Sequence, residues 1–201
     1  MPERVSKHVG AATAALDYDA ELMLRVKDGD GASFAILLEK HRSPVIHFLY
    51  RMVQNQAIAE ELAQEAFLRV YRSRATYEPT AKFTTWLFRI ATHLALNSLR
   101  DGKNERIQER LDEHTEDLPV RQLPDSKPSV EQAMVYQAKF EEVRQAIAAL
   151  PEKQRAAVLM HKYEEMEYSQ IAKILNCSES AVKSLLFRAY ESLRARLAHM
   201  A

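Results

Sequence analysis

"YSQIAKILNCSESAVKSLLFRA", Tyr168 to Ala189, decides how this chain folds. Ile171, Ala172 and Leu175 recur at the spacing of a buried helical stripe. Ala172 is small, as a close crossing of two helices requires. Asn176 stands where the chain must turn, and asparagine tolerates the left-handed conformation that glycine usually supplies. Ser178 or Ser180 can then cap a second helix by accepting from its unpaired N–H groups. Val182, Leu186, Ala189 and Leu193 form the buried stripe of that helix. At about one hundred degrees per residue, Ser180, Lys183, Ser184, Phe187 and Arg188 fall on its opposite face. The pattern is a helix-turn-helix whose outer face suits a DNA major groove, because Lys and Arg reach guanine edges or phosphates and Ser bonds to either. An αα-hairpin with a solvated face has the same spacing. Cys177, at the turn, reads as a small structural residue.

Working outward, the whole chain reads as all-α: two small helical domains joined by a flexible acidic linker. It has 201 residues, only 4 Gly, 47% hydrophobic and 28% charged residues. No apolar run approaches membrane-spanning length. A lone cysteine cannot form an internal disulfide and fits a reducing, cytoplasmic setting. Formal net charge is zero, so global charge does not drive binding to nucleic acid. The His residues make no metal-hydrolase spacing, and no phosphate loop or nucleophile elbow occurs, so no catalytic residue, metal site or cofactor is expected.

Residues 1–16 read as a disordered lead-in and 17–100 as the first domain. Its first helix ends at Asp28-Gly29-Asp30-Gly31; a second starts near Ser33, and Pro44 kinks or restarts it. A third carries the apolar stripe Ile58, Leu62, Ala66, Val70. The fourth, "FTTWLFRIATHLALNSLR" (Phe83 to Arg100), has Phe83, Leu87, Ile90 and Leu94 on one face and Trp86, Arg89, His93, Asn97 and Arg100 on another. An aromatic ring among cations and amides can hold single-stranded nucleic acid by stacking and phosphate contacts. Pattern alone favours packing with cation–π contacts. Residues 101–128 are rich in acids, with three prolines, and read as the linker. The second domain, 129–201, opens on a possible capping box at Ser129 and Gln132. Pro151 takes the favoured first position of a following helix.

Three segments together resemble one family, the extracytoplasmic-function (ECF) group of bacterial RNA polymerase sigma factors in the sigma-70 family. "AEELAQEAFLRVYRS" (Ala59 to Ser73) is similar to its core-binding helix. "YEPTAKFTTWLFRIATHLALNSLR" is similar to its promoter-melting segment, and the chain from Ala149 to Leu197 to its promoter-reading domain. The resemblance implies that Glu61, Gln64, Glu65 and Arg69 dock on the β′ clamp coiled coil of core RNA polymerase, with the β flap a further contact. It implies that Tyr77, Lys82, Phe83, Thr84, Trp86, Arg89, His93, Asn97 and Arg100 open and hold the −10 promoter element. It implies that Ser180, Lys183, Ser184, Phe187 and Arg188 read the −35 element. The linker would thread toward the polymerase active-site channel, and an anti-sigma factor would hold the protein inactive until a stress signal. His93, where some relatives have Asn, and Leu185, where Arg is frequent, depart from the family pattern. The competing expectations are a dimeric helix-turn-helix repressor or activator with a helical sensor domain, and a metal-dependent hydrolase.

Overall fold

Asp17 and Asp30 open the first two helices by accepting hydrogen bonds from amides that have no partner within their own helix. In a computed structural model, which describes residues 17–106 and 130–200, these caps start α1 (Tyr18–Lys27) and α2 (Gly31–Val53). α3 (Gln56–Arg72), a short 3₁₀ turn (Ser73–Thr76) and α4 (Phe83–Arg106) complete the first helical domain. The second holds α5 (Val130–Ala148), α6 (Glu152–Tyr163), α7 (Tyr168–Leu175) and α8 (Glu179–Arg196). The described residues contain no strand. The lead-in, most of the linker and the proposed Ser129 cap lie outside them.

Several elements depart from the sequence reading. α2 begins at Gly31 rather than near Ser33, because the Asp30 carboxylate caps Ala32 and Ser33. It then runs without a break through Pro44. The missing N–H is outweighed by burial of Val45, Phe48, Leu49 and Met52 just beyond it. α3 buries Ala59, Ala63, Ala66, Phe67 and Val70. Ile58, placed in the stripe by sequence, is 38% exposed. Alanines let the first turns of α3 lie close to α2, Phe67 and Val70 fill the far end, and Ile58, Leu68 and Tyr71 turn outward. α4 continues to Arg106, past the expected end at Arg100. Pro151 is the N-cap of α6, one place before its first residue.

The two domains pack on each other. Arg155, buried and in α6, donates to the Met52 carbonyl near the end of α2 and to the Ala148 and Leu150 carbonyls of its own domain. Arg144 in α5 donates to Tyr50 Oη at 2.9 Å and to Gln54 Oε1 at 3.0 Å. Two cations thus meet the C-terminal end of α2, where carbonyls lack helical partners and the helix dipole is negative. The Arg51 guanidinium lies 4.2 Å from the centre of the Tyr163 ring. α7 packs along α4, and Gln170 Nε2 donates to Thr85 Oγ1 at 3.1 Å.

Between the domains runs a crevice of about 320 Å³. The charged groups facing it are Lys40 and His41 from α2, Lys82 ahead of α4, and Glu164 and Glu165 from the α6–α7 turn. Burial pushes the Glu164 carboxyl up to about 7, with Arg51 pulling the other way. Burial also holds the His41 imidazole below its ordinary value, against the opposing pull of Asp19. An acid raised on folding contributes fully below its ordinary pKa and loses that contribution as pH rises through its folded value. Glu164 therefore lowers stability by roughly 1–2 kcal/mol between pH 5 and pH 8, a figure kept small by the carboxyl's partial contact with water. His41 acts in the opposite sense, costing stability as pH falls below its ordinary value. Glu164→Gln isolates the first effect. Urea unfolding across this pH range should show wild type losing stability relative to the variant as pH rises.

Candidate functional site

The row on α4 is aimed by what lies beneath it. Phe83, Leu87, Phe88, Ala91, Thr92, Leu94 and Ala95 are buried. The helix is therefore covered on two sides, more than the single apolar face read from sequence, and Ile90 is only half-buried. Arg89, His93, Asn97 and Arg100 remain exposed in one line. Arg100 makes a weak exposed pair with Asp101 at 3.4 Å. Trp86, at the head of the line, is half-buried, its ring 4.9 Å from Tyr77 and 6.0 Å from Phe83 between centroids. Lys82 is exposed, and with half-buried Thr84 it borders the crevice.

Tyr77 and Phe83, both named as DNA-contacting residues, sit below this surface. Phe83 is 0% exposed and Tyr77 4%. The Tyr77 hydroxyl finds no hydrogen-bond partner among the described residues. Burial, followed by the charges of Asp17 and Asp19, pushes it up to about 12, so it stays neutral. In this arrangement both rings are buried and support Trp86 from within.

On α3, Glu61 and Gln64 are exposed, and Glu65 accepts from Arg69 Nε at 2.6 Å one turn away. Leu68, 42% exposed, and Tyr71 lie on the outer side with them, as does Ile58. Sequence reasoning left these apolar residues out of the surface. The signal that finds them is the alanine series 59, 63, 66, which marks the buried side instead. The surface is thus mixed apolar and charged.

The helix-turn-helix takes the expected shape. Asn176 is left-handed at φ 51°, and its N–H returns to the Ala172 carbonyl. Ser178 caps α8 by accepting from Ala181 N at 3.2 Å. Val182, Leu186 and Ala189 are buried, while Ser180, Lys183, Ser184, Phe187 and Arg188 are all exposed. Phe187 is 68% exposed. Ser184 Oγ donates to the Ser180 carbonyl at 3.0 Å, and Lys183 Nζ lies 6.0 Å from the Tyr168 ring centre. Leu185 is half-buried against the core and faces inward. No grouping of His, Cys, Asp and Glu able to hold a metal occurs among the described residues.

The "Sigma-70 region 2" family model matches residues 37–105, and the "Sigma-70, region 4" model matches residues 140–193. The ECF RNA polymerase sigma factor SigW of Bacillus subtilis (strain 168) is 32% identical over 174 residues, covering 86% of this chain and 93% of the relative. The chain belongs to the ECF group of the sigma-70 family. Another relative, the RNA polymerase sigma factor CarQ of Myxococcus xanthus, is 34% identical over 180 residues, covering 89% of this chain and 97% of that one. The solved structure of CnrH in complex with the cytosolic domain of CnrY has a similar fold. Its TM-score is 0.68 at 16% identity, over 91% of this chain and 99% of that chain. The sigma factor RpoE in complex with the anti-sigma factor NepR, from Bartonella quintana, gives 0.62 at 18%, over 82% and 96%. Sigma factors are transcription initiation factors and not enzymes. No helix among the described residues of this sigma factor is long and apolar enough to cross a membrane.

Burial separates the named residues into two classes with different costs on truncation. Phe83→Ala should lower stability by about 3–5 kcal/mol, as expected for an enclosed aromatic. Arg188→Ala and Asn97→Ala should change it by about 0.5 kcal/mol or less. Urea midpoints at constant m-value check both.

Proposed function

We propose that this sigma factor binds core RNA polymerase, reads a −35 element through α8 and melts a −10 element over α4. The observation that carries the reading is the pair of exposed polar rows on separate domains. Arg89, His93, Asn97 and Arg100 line up behind Trp86 on one, and Ser180, Lys183, Ser184, Phe187 and Arg188 line up on the other. The α8 row has the donors and the apolar ring that major-groove readout uses. The α4 row has cations for phosphate and a supported indole on which an unpaired base can stack. Melting then needs no bond chemistry. A strand held more tightly when unpaired shifts the duplex equilibrium toward the open form.

Polymerase docking falls to the α3 surface, where Glu61, Gln64, Glu65 and Arg69 set charge complementarity around exposed Leu68 and Ile58. The zero net charge fits a subunit that binds DNA weakly alone and gains affinity and orientation from its partner. An anti-sigma factor is a fitting further partner, as in the RpoE and NepR structure. On this reading the protein works in the cytoplasm, with the segment after α4 threading into the polymerase.

Run-off transcription with purified core polymerase on genomic fragments tests the reading. Specific initiation that requires the protein is the expected result, and its absence on every fragment overturns the proposal. Trp86→Ala and Asn97→Ala should each cut permanganate-reactive open complex about tenfold while core pull-down is unchanged, the size of one lost base contact. Lys183→Ala and Arg188→Ala should each weaken −35 footprint protection by roughly 1–3 kcal/mol. Lost pull-down with normal melting would reassign the α4 row.

A further inference from the structure

The loop from Tyr77 to Phe83 leads into the proposed melting surface, and its own hydrogen bonds are few. Thr80 N donates to the Glu78 carbonyl at 2.8 Å, and Tyr77 N donates back to the Arg74 carbonyl at 3.3 Å. The Tyr77 hydroxyl has no partner among the described residues, so no hydrogen bond ties the ring itself. Two further ties come from α1. Asp17 accepts from Phe83 N at 3.2 Å, where α4 begins. Lys27, the last residue of α1, donates from Nζ to the Tyr77 carbonyl at 3.1 Å, where the loop begins. Neither residue belongs to the rows given to promoter or polymerase.

A lysine at the end of a helix has an ordinary use, since its charge offsets the helix dipole. Arg25 stands in the same turn and serves that use, acting also on the charge of Asp30. Offsetting a dipole does not require aim. The Lys27 ammonium is aimed, at a carbonyl fifty residues away in sequence. That carbonyl belongs to the residue whose buried ring lies 4.9 Å from the Trp86 ring between centroids. A charged donor also makes a stronger hydrogen bond than a neutral one. The chain of contact therefore runs from the ammonium to the Tyr77 backbone, through the Tyr77 ring, to the indole.

We propose that Lys27 is a positioning residue for promoter melting: by holding the Tyr77 carbonyl it keeps the Tyr77 ring beneath Trp86, and so fixes the indole face on which an unpaired base stacks. The base rests on the promoter reading; the hold on the indole does not. In this role the ammonium needs no contact with DNA. It acts before DNA arrives, by removing other orientations of the ring. Its loss should slow opening and spare the earlier steps, which fall to α3 and α8.

Trp86 is the chain's one tryptophan, so its fluorescence reports the indole without a label. Lys27→Met removes the ammonium of an exposed residue and keeps an unbranched stem. In the free protein it should make Trp86 more open to acrylamide quenching and shift its emission to the red. Lys27→Arg should restore the parent signal. Arg25→Met, which loses the same charge from the same turn, should leave it unchanged. With core polymerase, on a fragment found by run-off transcription, Lys27→Met should slow formation of permanganate-reactive complex. The expected factor is about threefold to tenfold, as for one lost hydrogen bond. Closed-complex affinity and core pull-down should not change. In a Trp86→Ala background the same substitution should have no further effect.

Parent-like fluorescence in Lys27→Met, or the same change in Arg25→Met, overturns the positioning role. Altered fluorescence with normal opening, while Trp86→Ala opens poorly, overturns its use in melting. If no fragment opens, or if Trp86→Ala opens normally, the promoter reading fails, and the fluorescence still decides whether Lys27 sets the indole.

Discussion

A buried carboxylate holds the first domain together. Asp19 is nearly enclosed, and an isolated charge there would be prohibitive. It is met by Lys40 Nζ at 2.7 Å and by His41 Nε2 at 2.9 Å, both from α2. Two residues earlier, Asp17 accepts from Ala20 N at 2.6 Å and from Phe83 N at 3.2 Å, serving the first turns of α1 and α4 together. At the far end of α1, Lys27 Nζ donates to the Tyr77 carbonyl at 3.1 Å. The loop between Tyr77 and Phe83 is thus fixed at both ends by one short helix. The direction of Trp86 and of the row behind it follows from that fixing.

On the proposed reading, the same first domain builds a surface for stacking from buried rings. Tyr77 and Phe83 enclose one edge of Trp86 and leave it half in solvent. A ring held this way has lost its rotamer entropy before any ligand arrives, so less is lost on binding. The polar side chains that follow along α4 are exposed instead, without aromatic rings packed around them. α8 has a similar division. Ser184 is tied back to its own helix, while Phe187 projects.

Helical class, the Asp28–Gly31 break and the helix-turn-helix were legible because each has a local cause: apolar spacing, caps and an asparagine able to turn left-handed. The outer face of α8 followed from arithmetic on one helix. The buried side of α3 was not legible in the same way. Hydrophobicity ranks Ile58 and Leu62 above alanine, but close helix packing selects small side chains, and only the neighbouring α2 sets that distance. Tyr77 lies in a loop, where no periodicity says which way an aromatic ring points. The burial of Thr85 was out of reach for another reason. It is caused by α7, which arrives from the other half of the chain.

The alanine side of α3 has a consequence for handling the free protein. By giving much of its inner face to alanines, the helix leaves Ile58, Leu68 and Tyr71 in contact with water, and α8 adds Phe187. Nothing offsets this at neutral pH, since formal net charge is zero and copies of the chain do not repel one another. Such a molecule is colloidally fragile near pH 7. A macromolecule that covers those side chains therefore acts also as a solubiliser.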